Sequence, residues 1–473
     1  MKALWATVAA ICSTFLAGSF QANADESKNA ARDVVRGEIS QPTTIPGKWA
    51  WEQPPMPPLE KVLREAKPNP FIYGLYEWAG EYLAYRDSIK KVGWRSYRCG
   101  GPMTDEAMQA FAEDGIEVMY CAGAAPQKLD ATPQEDEAFI QSYARSITTL
   151  LTRYGPNGAF FRDHPKIPNR PLCNIEIWNE PNFEYLIPPD HRPQAALEAA
   201  RFALYAKLLP AAYAAVKNCS TEVKVIGFGA GGADAGDIRF IQSVNDAGPA
   251  SLRSYDILST HPYVEPVPPE PCSIRPWGRF SIASTLEAIR ADLASHGRAE
   301  VPVWYTEVGW PISKKDGGFY AMPGTQVSPD LQAAYVCRLY AFAQRLGVSR
   351  VHIMSVNDTD NFNSGFFQRD GSWRPSAHAV RTMIQLMPSP RLLGALSDGE
   401  NGCFVYRFAP GEDPGATPVL MAWNVSGPKV VELPIKASRA TIIDMLGRRQ
   451  AIAVAGNKIR LEIGPLPVYV RGE

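Results

Sequence analysis

The chain has 473 residues, 45% of them hydrophobic, enough for a closed α/β barrel of roughly 250–400 residues plus one small extra domain. Its 48 basic and 49 acidic side chains leave a formal net charge of −1 and no long basic stripe, which speaks against nucleic acid or an anionic membrane surface as a main partner. Outside the first apolar segment the cysteines are too sparse for a disulfide scaffold and form no CxxC pair, so no zinc site is expected.

Lys2 precedes an apolar stretch over residues 3–20, and Ala22-Asn23-Ala24 then supplies small residues at the −3 and −1 positions of a cleavage site. This is the layout of an export signal over residues 1–24, with Asp25 as the new N-terminus. The expected location is therefore secreted or periplasmic. No later segment reaches ~20 uninterrupted apolar residues, so no stable membrane insertion is expected after cleavage. An oxidising compartment permits one or two disulfides, and Cys173 with Cys219 and Cys99 with Cys121 are the candidate pairs.

Residues 25–69 are rich in proline and charge and read as an extended arm with a short helix over 59–66. From residue 70 to 387 short β-rich runs alternate with amphipathic helical stretches, the rhythm of a parallel α/β fold. Strands are predicted over 71–76, 94–98, 116–121, 174–178, 223–228, 257–260, 303–305 and 351–355. Helices are predicted over 104–114, 133–154, 193–217, 238–247, 282–296 and 328–346. Eight strand–helix units make a closed (β/α)8 TIM barrel, and no GxGxxG opens the first helix to favour an open doubly wound sheet. Residues 388–473 change character. Short runs over 403–408, 419–423, 430–434, 440–444 and 458–463, separated by Gly, Pro, Asn and Asp, predict a small C-terminal antiparallel β domain packed on the barrel.

Two segments carry the chemistry. Ile175-Glu176-Ile177-Trp178-Asn179-Glu180-Pro181-Asn182 ends a β-run in Asn-Glu, and Val303-Trp304-Tyr305-Thr306-Glu307-Val308-Gly309-Trp310-Pro311 repeats the arrangement. Three βα units separate them, so they close strands four and seven, which face one another across the barrel mouth where such folds place their chemistry. Cleaving a glycosidic bond requires a proton donor on the leaving oxygen and a nucleophile or base on the opposite face. Carboxyl groups roughly 5–5.5 Å apart give a covalent intermediate and retention, whereas a wider gap admits a water and gives inversion. A donor Glu180 requires a raised pKa, and Glu307 must be ionised to attack.

The two segments resemble those of clan A glycoside hydrolases, whose acid/base follows an Asn at the end of strand four and whose nucleophile ends strand seven. Within the clan the chain most resembles glycoside hydrolase family 39, over residues 71–387, and a trailing β domain also fits that family. The resemblance implies a retaining hydrolase of a polysaccharide or oligosaccharide, with Glu180 as acid/base and Glu307 as nucleophile and with no cofactor and no metal. It also implies that Asn179 bonds a substrate hydroxyl beside the anomeric carbon.

Further residues fall where such a site needs them. Tyr263, after strand six, is placed to donate its hydroxyl to Glu307, and His261 to hold a sugar hydroxyl or Glu180. Arg98, ending strand two, is placed to brace Glu307 by charge. Trp310 and Tyr76 are candidate stacking platforms at the mouth, while Trp178 points away from Asn179 into the core. The clan often ends strand eight with a Trp, but here the segment reads His352-Ile353-Met354-Ser355-Val356-Asn357-Asp358. Asn357 or Asp358 then takes over the substrate contact, or Trp310 compensates. Residues 358–375 look superficially like a calcium loop, but Phe362 and Ser364 interrupt the ligand pattern. Other readings of the same residues are a transglycosylase using the same covalent intermediate and a carbohydrate-binding barrel without activity. A metal-dependent hydrolase lacks an HxH or HExxH ligand set.

Overall fold

The computed structural model describes residues 51–53, 56–65, 71–183, 185–272, 280–312, 326–358 and 362–473. The segments expected as an export signal, residues 1–24, and for the most part as an extended arm, residues 25–69, lie outside them. Among the described residues no helix is long and apolar enough to cross a membrane.

Eight parallel strands close a barrel in sequence order: β1 (Ile72–Trp78), β2 (Ser96–Gly100), β3 (Glu117–Ala122), β4 (Asn174–Ile177), β5 (Lys224–Gly231), β6 (Ile257–His261), β7 (Val303–Val308) and β8 (Arg350–Met354), with β8 pairing back onto β1. Strong local signals set the helix starts. Thr132 and Glu135 form a reciprocal capping box with Pro133 in the first turn of Pro133–Tyr154. The Asp234 side chain accepts the amides of Gly236 and Asp237, so the next helix begins at Ala235, earlier than its apolar pattern suggests. Besides the short turns Ala159–Asp163 and Pro249–Leu252, two longer described helices escaped the sequence reading, Ala79–Val92 and Pro375–Leu386. The first is weakly amphipathic, buries few of its residues and is kinked at Tyr85.

The barrel floor is closed by Met119, Ile226, Ile257 and Trp304. Arg350 stacks over the Trp304 ring at 4.2 Å and pairs with Glu117 at 2.7 Å. The floor is thus sealed, and the open end lies at the C-terminal ends of the strands.

The C-terminal module contains more strands than the five predicted. β9 (Arg391–Asp398), β10 (Cys403–Ala409), β11 (Val419–Asn424), β13 (Arg439–Asp444), β14 (Arg449–Ala453) and β16 (Val468–Gly472) form a sheet of order β14-β13-β16-β11-β10-β9. β12 (Lys429–Pro434) and β15 (Lys458–Ile463) form a second, two-stranded sheet. Val405, Leu420, Leu433, Ile459, Ile463 and Val470 fill the layer between the two. β9 was missed because it buries only Leu392 and carries Gly394 mid-strand; β14 buries none of its residues.

Residues 41–473 cluster as one compact unit. The joint between barrel and module runs along helix Pro329–Arg345, which is buried on every face. Arg338 pairs with Glu270 and donates to the Pro465 carbonyl, and Trp423 donates to Glu270 at 2.7 Å. Arg345 grips Asp398, and Phe342 meets Phe404 edge-on. A helix that packs on the barrel with one face and under a sheet with the other has no solvent stripe to show in its sequence.

Neither expected cysteine pair is joined: all seven described cysteines are free thiols. The register explains the first pair. Cys99 pairs with Tyr120, so Cys121 is one residue out of step and its side chain leaves the sheet on the opposite face. Cys121 accepts from Arg98 inside the barrel, while Cys99 turns toward the helix layer. Burial pushes the Cys99 thiol up to about 12.

Candidate active site

The open end of the barrel holds a cleft of ≈ 1390 Å³ lined by Asn179, Glu180, Tyr263 and Glu307, with Tyr76 and Asn357 at its β1–β8 side. That volume exceeds the few hundred to ~1,000 Å³ of a pocket for one drug-sized molecule.

Glu180 follows β4 on an unusual backbone. Trp178 (φ 71°) and Glu180 (φ 47°) both adopt the left-handed region, which is strained for residues with a Cβ. Hydrogen bonds hold them there. The Trp178 amide reaches Ala122 O at 3.0 Å and the Tyr143 hydroxyl at 3.0 Å, and the Glu180 amide reaches Gly229 O at 2.9 Å. Asn182 then stands in for a strand. Its side chain accepts the Gly231 amide and donates to the Gly231 carbonyl, each at 2.9 Å, and donates to Asp237. The twist that spends backbone strain here turns the Glu180 carboxyl into the cleft and sends Trp178 into the core beside Tyr143 and Phe139, as its alternation predicted.

Gly231 is the surface on which this turn rests. A Cβ there would lie 2.6 Å from Glu180 Cδ and 2.5 Å from a Phe183 ring carbon. Gly231→Ala is therefore expected to displace the Glu180 carboxyl and lower kcat by about 10²-fold while the chain stays folded, since misplacement by ~1 Å suffices for such a loss. Kinetics beside circular dichroism check this; wild-type kcat in a folded variant would refute it.

Glu307 lies within β7, which runs three residues further than predicted. Arg98 Nη1 donates to its Oε2 at 2.7 Å and the Tyr263 hydroxyl to its Oε1 at 2.8 Å, as the sequence suggested. Burial first, then the charges of Glu307 and Glu180, push the Tyr263 hydroxyl well above its ordinary range, so it remains a donor. Arg98 is fully buried and does more than brace Glu307. Nε donates to Glu176 at 2.7 Å and Nη2 to Asn179 Oδ1 at 2.7 Å, and the guanidinium stacks on the Tyr76 ring at 4.3 Å. Tyr76 is thus a platform for Arg98. Asn179 gives its oxygen to Arg98, which leaves its amide nitrogen for a ligand.

Glu176 was not singled out from the sequence. It is fully buried, accepting from Arg98 and from Ser259 at 2.8 Å. Burial alone would raise its carboxyl, but Arg98 beside it, helped by His261, Thr306 and Ser259, holds it below the usual range. His261 Nδ1 lies 2.9 Å from Glu180 Oε1 and 3.9 Å from Glu307 Oε2, so of the two partners expected for it the structure supplies Glu180.

A carboxylate oxygen of Glu180, one of Glu307 and a His261 ring nitrogen all lie within 4.8 Å of one another. Such a trio can in principle hold a cation, although no HxH or HExxH announced it. Its donors are already engaged, and Arg98 places a positive charge directly on Glu307, which opposes a cation there. The calcium-like loop is tied differently: Asp358 is clasped by both terminal nitrogens of Arg374.

Trp310 corrects the sequence reading. It is 0% exposed, donates its indole N–H to Val267 O at 2.8 Å and packs on Tyr335, so it is no platform in the cleft. The exposed rings that do line the cleft are Trp78 (57%), Phe183 (40%) and Tyr185 (48%). A Trp at the end of β1 was the one legible signal among them. Where the clan has its strand-eight Trp, Met354 and Phe362 line the cleft, and Tyr263 contacts the Met354 sulfur at 3.2 Å. Asn357 lines the cleft and donates to Glu81 at 2.9 Å.

No protein-family model matches the sequence, and no curated protein does. Solved structures match in fold. A family 39 glycoside hydrolase from Bacteroides cellulosilyticus WH2 superposes with a TM-score of 0.63 at 21% identity, over 86% of this chain and 81% of that one. A monomeric β-xylosidase from Caulobacter crescentus CB15 gives 0.55 at 15%, over 86% and 97%. A family 51 α-L-arabinofuranosidase from Thermotoga petrophila RKU-1 gives 0.56 at 13%, over 87% and 92%. The likeness is one of fold, a TIM barrel with antiparallel C-terminal sheets, and this is the fold of family 39 enzymes.

Proposed function

We propose that this chain is a retaining glycoside hydrolase of an extracellular or periplasmic polysaccharide or oligosaccharide. The observation that carries the reading is the pair Glu180 and Glu307, two carboxyl groups from opposite sides of one cleft, with oxygens within 4.8 Å of each other. That spacing is nearer the roughly 5–5.5 Å of retaining pairs than the roughly 6.5–9.5 Å of inverting ones, and suits direct attack. The fold shared with glycoside hydrolases supports the same conclusion.

The partners of each carboxyl support one assignment of roles. Glu307 has both oxygens gripped by donors, Arg98 and Tyr263, which hold it as an oriented nucleophile for the anomeric carbon. Glu180 is joined to His261 through one oxygen and so keeps an oxygen for the glycosidic oxygen of the substrate. In the first step Glu180 gives its proton to the leaving oxygen while Glu307 forms an ester with the sugar. In the second, Glu180 takes a proton from water, which attacks the anomeric carbon and releases Glu307 as carboxylate. The export-signal layout of the sequence over residues 1–24 supports a secreted or periplasmic location.

NMR of the first-formed product tests the reading: the anomer should match that of the bond cleaved, and an inverted product would sink it. Glu180→Gln should lower kcat by about 10²–10⁴-fold on oligosaccharides, whose leaving groups need the proton, and far less on 2,4-dinitrophenyl glycosides. Equal losses on both would remove Glu180 from the acid/base role.

A further inference from the structure

Glu77 takes no part in the chemistry above, yet it lines the same cleft. Its side chain belongs to β1 and is 5% exposed. Oε1 accepts the Trp78 amide at 3.3 Å, and Oε2 has no hydrogen-bond partner among the described residues. Burial raises its carboxyl to about 8, eased by the Trp78 amide and reinforced by the charges of Glu81 and Glu307. An unpaired buried carboxyl is costly to a fold, and a ligand hydroxyl is a group that would complete it.

Its surroundings describe that ligand. The indole of Trp78, next in the chain, stands exposed at the cleft, a flat apolar face of the kind that stacks on a sugar ring. Ala or larger at Gly101 would press on that indole, since a Cβ there meets it at 3.0 Å; the glycine lets the ring lie against the end of β2. Glu81 adds a second carboxylate at this side, held by Asn357 from the neighbouring β8 end. Among the described residues the cleft lining carries six carboxyl groups against two guanidiniums, Arg201 and Arg369. Glu307 and Asp358 face Arg98 and Arg374 and Glu77 itself is protonated, so the charge beside Trp78 is that of Glu81, which repels an anionic ligand and accepts hydrogen bonds from a neutral one.

We propose that Glu77 is a specificity-determining residue: its free Oε2, with the Trp78 indole and Glu81, forms a subsite that binds the hydroxyls of an uncharged sugar and rejects a uronic acid. This rests on the reading of the cleft as a glycan site but does not depend on turnover. Below pH about 8 the Glu77 carboxyl is protonated and both donates and accepts, so glutamine is its near-isostere.

Calorimetry tests the proposal on the full mature chain, titrated with xylohexaose, cellohexaose and mannohexaose and with hexagalacturonate. Wild type should bind at least one neutral oligosaccharide, and hexagalacturonate at least about tenfold more weakly. Glu77→Ala should weaken the neutral ligand about tenfold, the worth of one good hydrogen bond, and Glu77→Gln should recover most of it. Thermal melting checks the fold of both variants. Glu77→Gln removes a buried ionisable group, so its Tm at pH 8.5 should be unchanged or higher. Hexagalacturonate binding as tightly as the best neutral ligand would overturn the proposal. So would wild-type affinity in a folded Glu77→Ala variant, or binding of none of the neutral oligosaccharides. A chain that binds neutral glycans through Glu77 and turns none of them over would instead remove the hydrolase reading and leave this subsite standing.

Discussion

Glu307→Ala is expected to lower kcat on an aryl glycoside by roughly 10⁴-fold or more, the scale on which loss of a covalent nucleophile acts. At 1.36 kcal/mol per decade that is about 5–6 kcal/mol of transition-state stabilisation. The fold should survive, because Arg98 keeps Glu176 as its counter-charge at 2.7 Å when Glu307 is gone. The vacated space is flanked by the Arg98 Nη1 and Tyr263 hydroxyl donors, which now face an anion-sized gap. Azide should enter it and attack the anomeric carbon directly. The product is then a glycosyl azide with the configuration opposite to that of the substrate, identifiable by NMR and mass spectrometry. A variant that keeps a tenth of wild-type activity without azide would remove Glu307 from the reaction.

Arg98→Ala carries the largest expected effect on stability, about 3–5 kcal/mol, because it leaves Glu176 charged and unpaired in the barrel interior. Activity should fall as well, on the order of 10²–10³-fold, since Glu307 and Asn179 each lose a donor at 2.7 Å. The pH dependence separates the causes. In the wild type Glu176 is held below its ordinary value of 4.5, so it contributes stability that is present above that pH and lost as pH falls through the folded value. Without Arg98, burial dominates and the folded pKa rises above 4.5. The destabilisation of the variant should then be greatest at neutral pH and shrink toward pH 5, where Glu176 protonates. Urea unfolding at pH 5 and pH 8 measures it. Adding Glu176→Gln should recover most of the stability and none of the activity. A pH-independent loss would mean that Arg98 matters through packing on Tyr76 instead.

Much of this site was legible before the fold was seen, and the reason is geometric. A parallel barrel brings every strand's C-terminal end to one mouth, so polar residues that close β2, β4, β6 and β7 must meet. That rule puts Arg98, Glu180, His261, Tyr263 and Glu307 at one mouth, where they contact one another, while the roles given to Glu180 and Glu307 came from the resemblance to clan A enzymes. The helix caps, glycine stops and alternating runs that mark the strand–helix units are local signals of the same kind.

What local pattern cannot carry is the direction a side chain takes once the chain leaves its strand. Trp310 lies three residues beyond Glu307 and reads as readily toward the cleft as away from it. Packing against Tyr335 on the helix Pro329–Arg345 turned it inward, while Trp78 at the end of β1 was left open to the cleft. Glu176 and Glu77 look alike as strand glutamates. One meets Arg98 across the barrel and is satisfied, while the Oε2 of the other has no hydrogen-bond partner among the described residues. Cys99 and Cys121 are neighbours in the sheet but separated by a register of one, which sends them to opposite faces. Period and turn chemistry act over a few residues and are written in the chain. Register, facing and charge pairing depend on which distant segment arrives alongside, and only the closed barrel under its C-terminal sheet decides that.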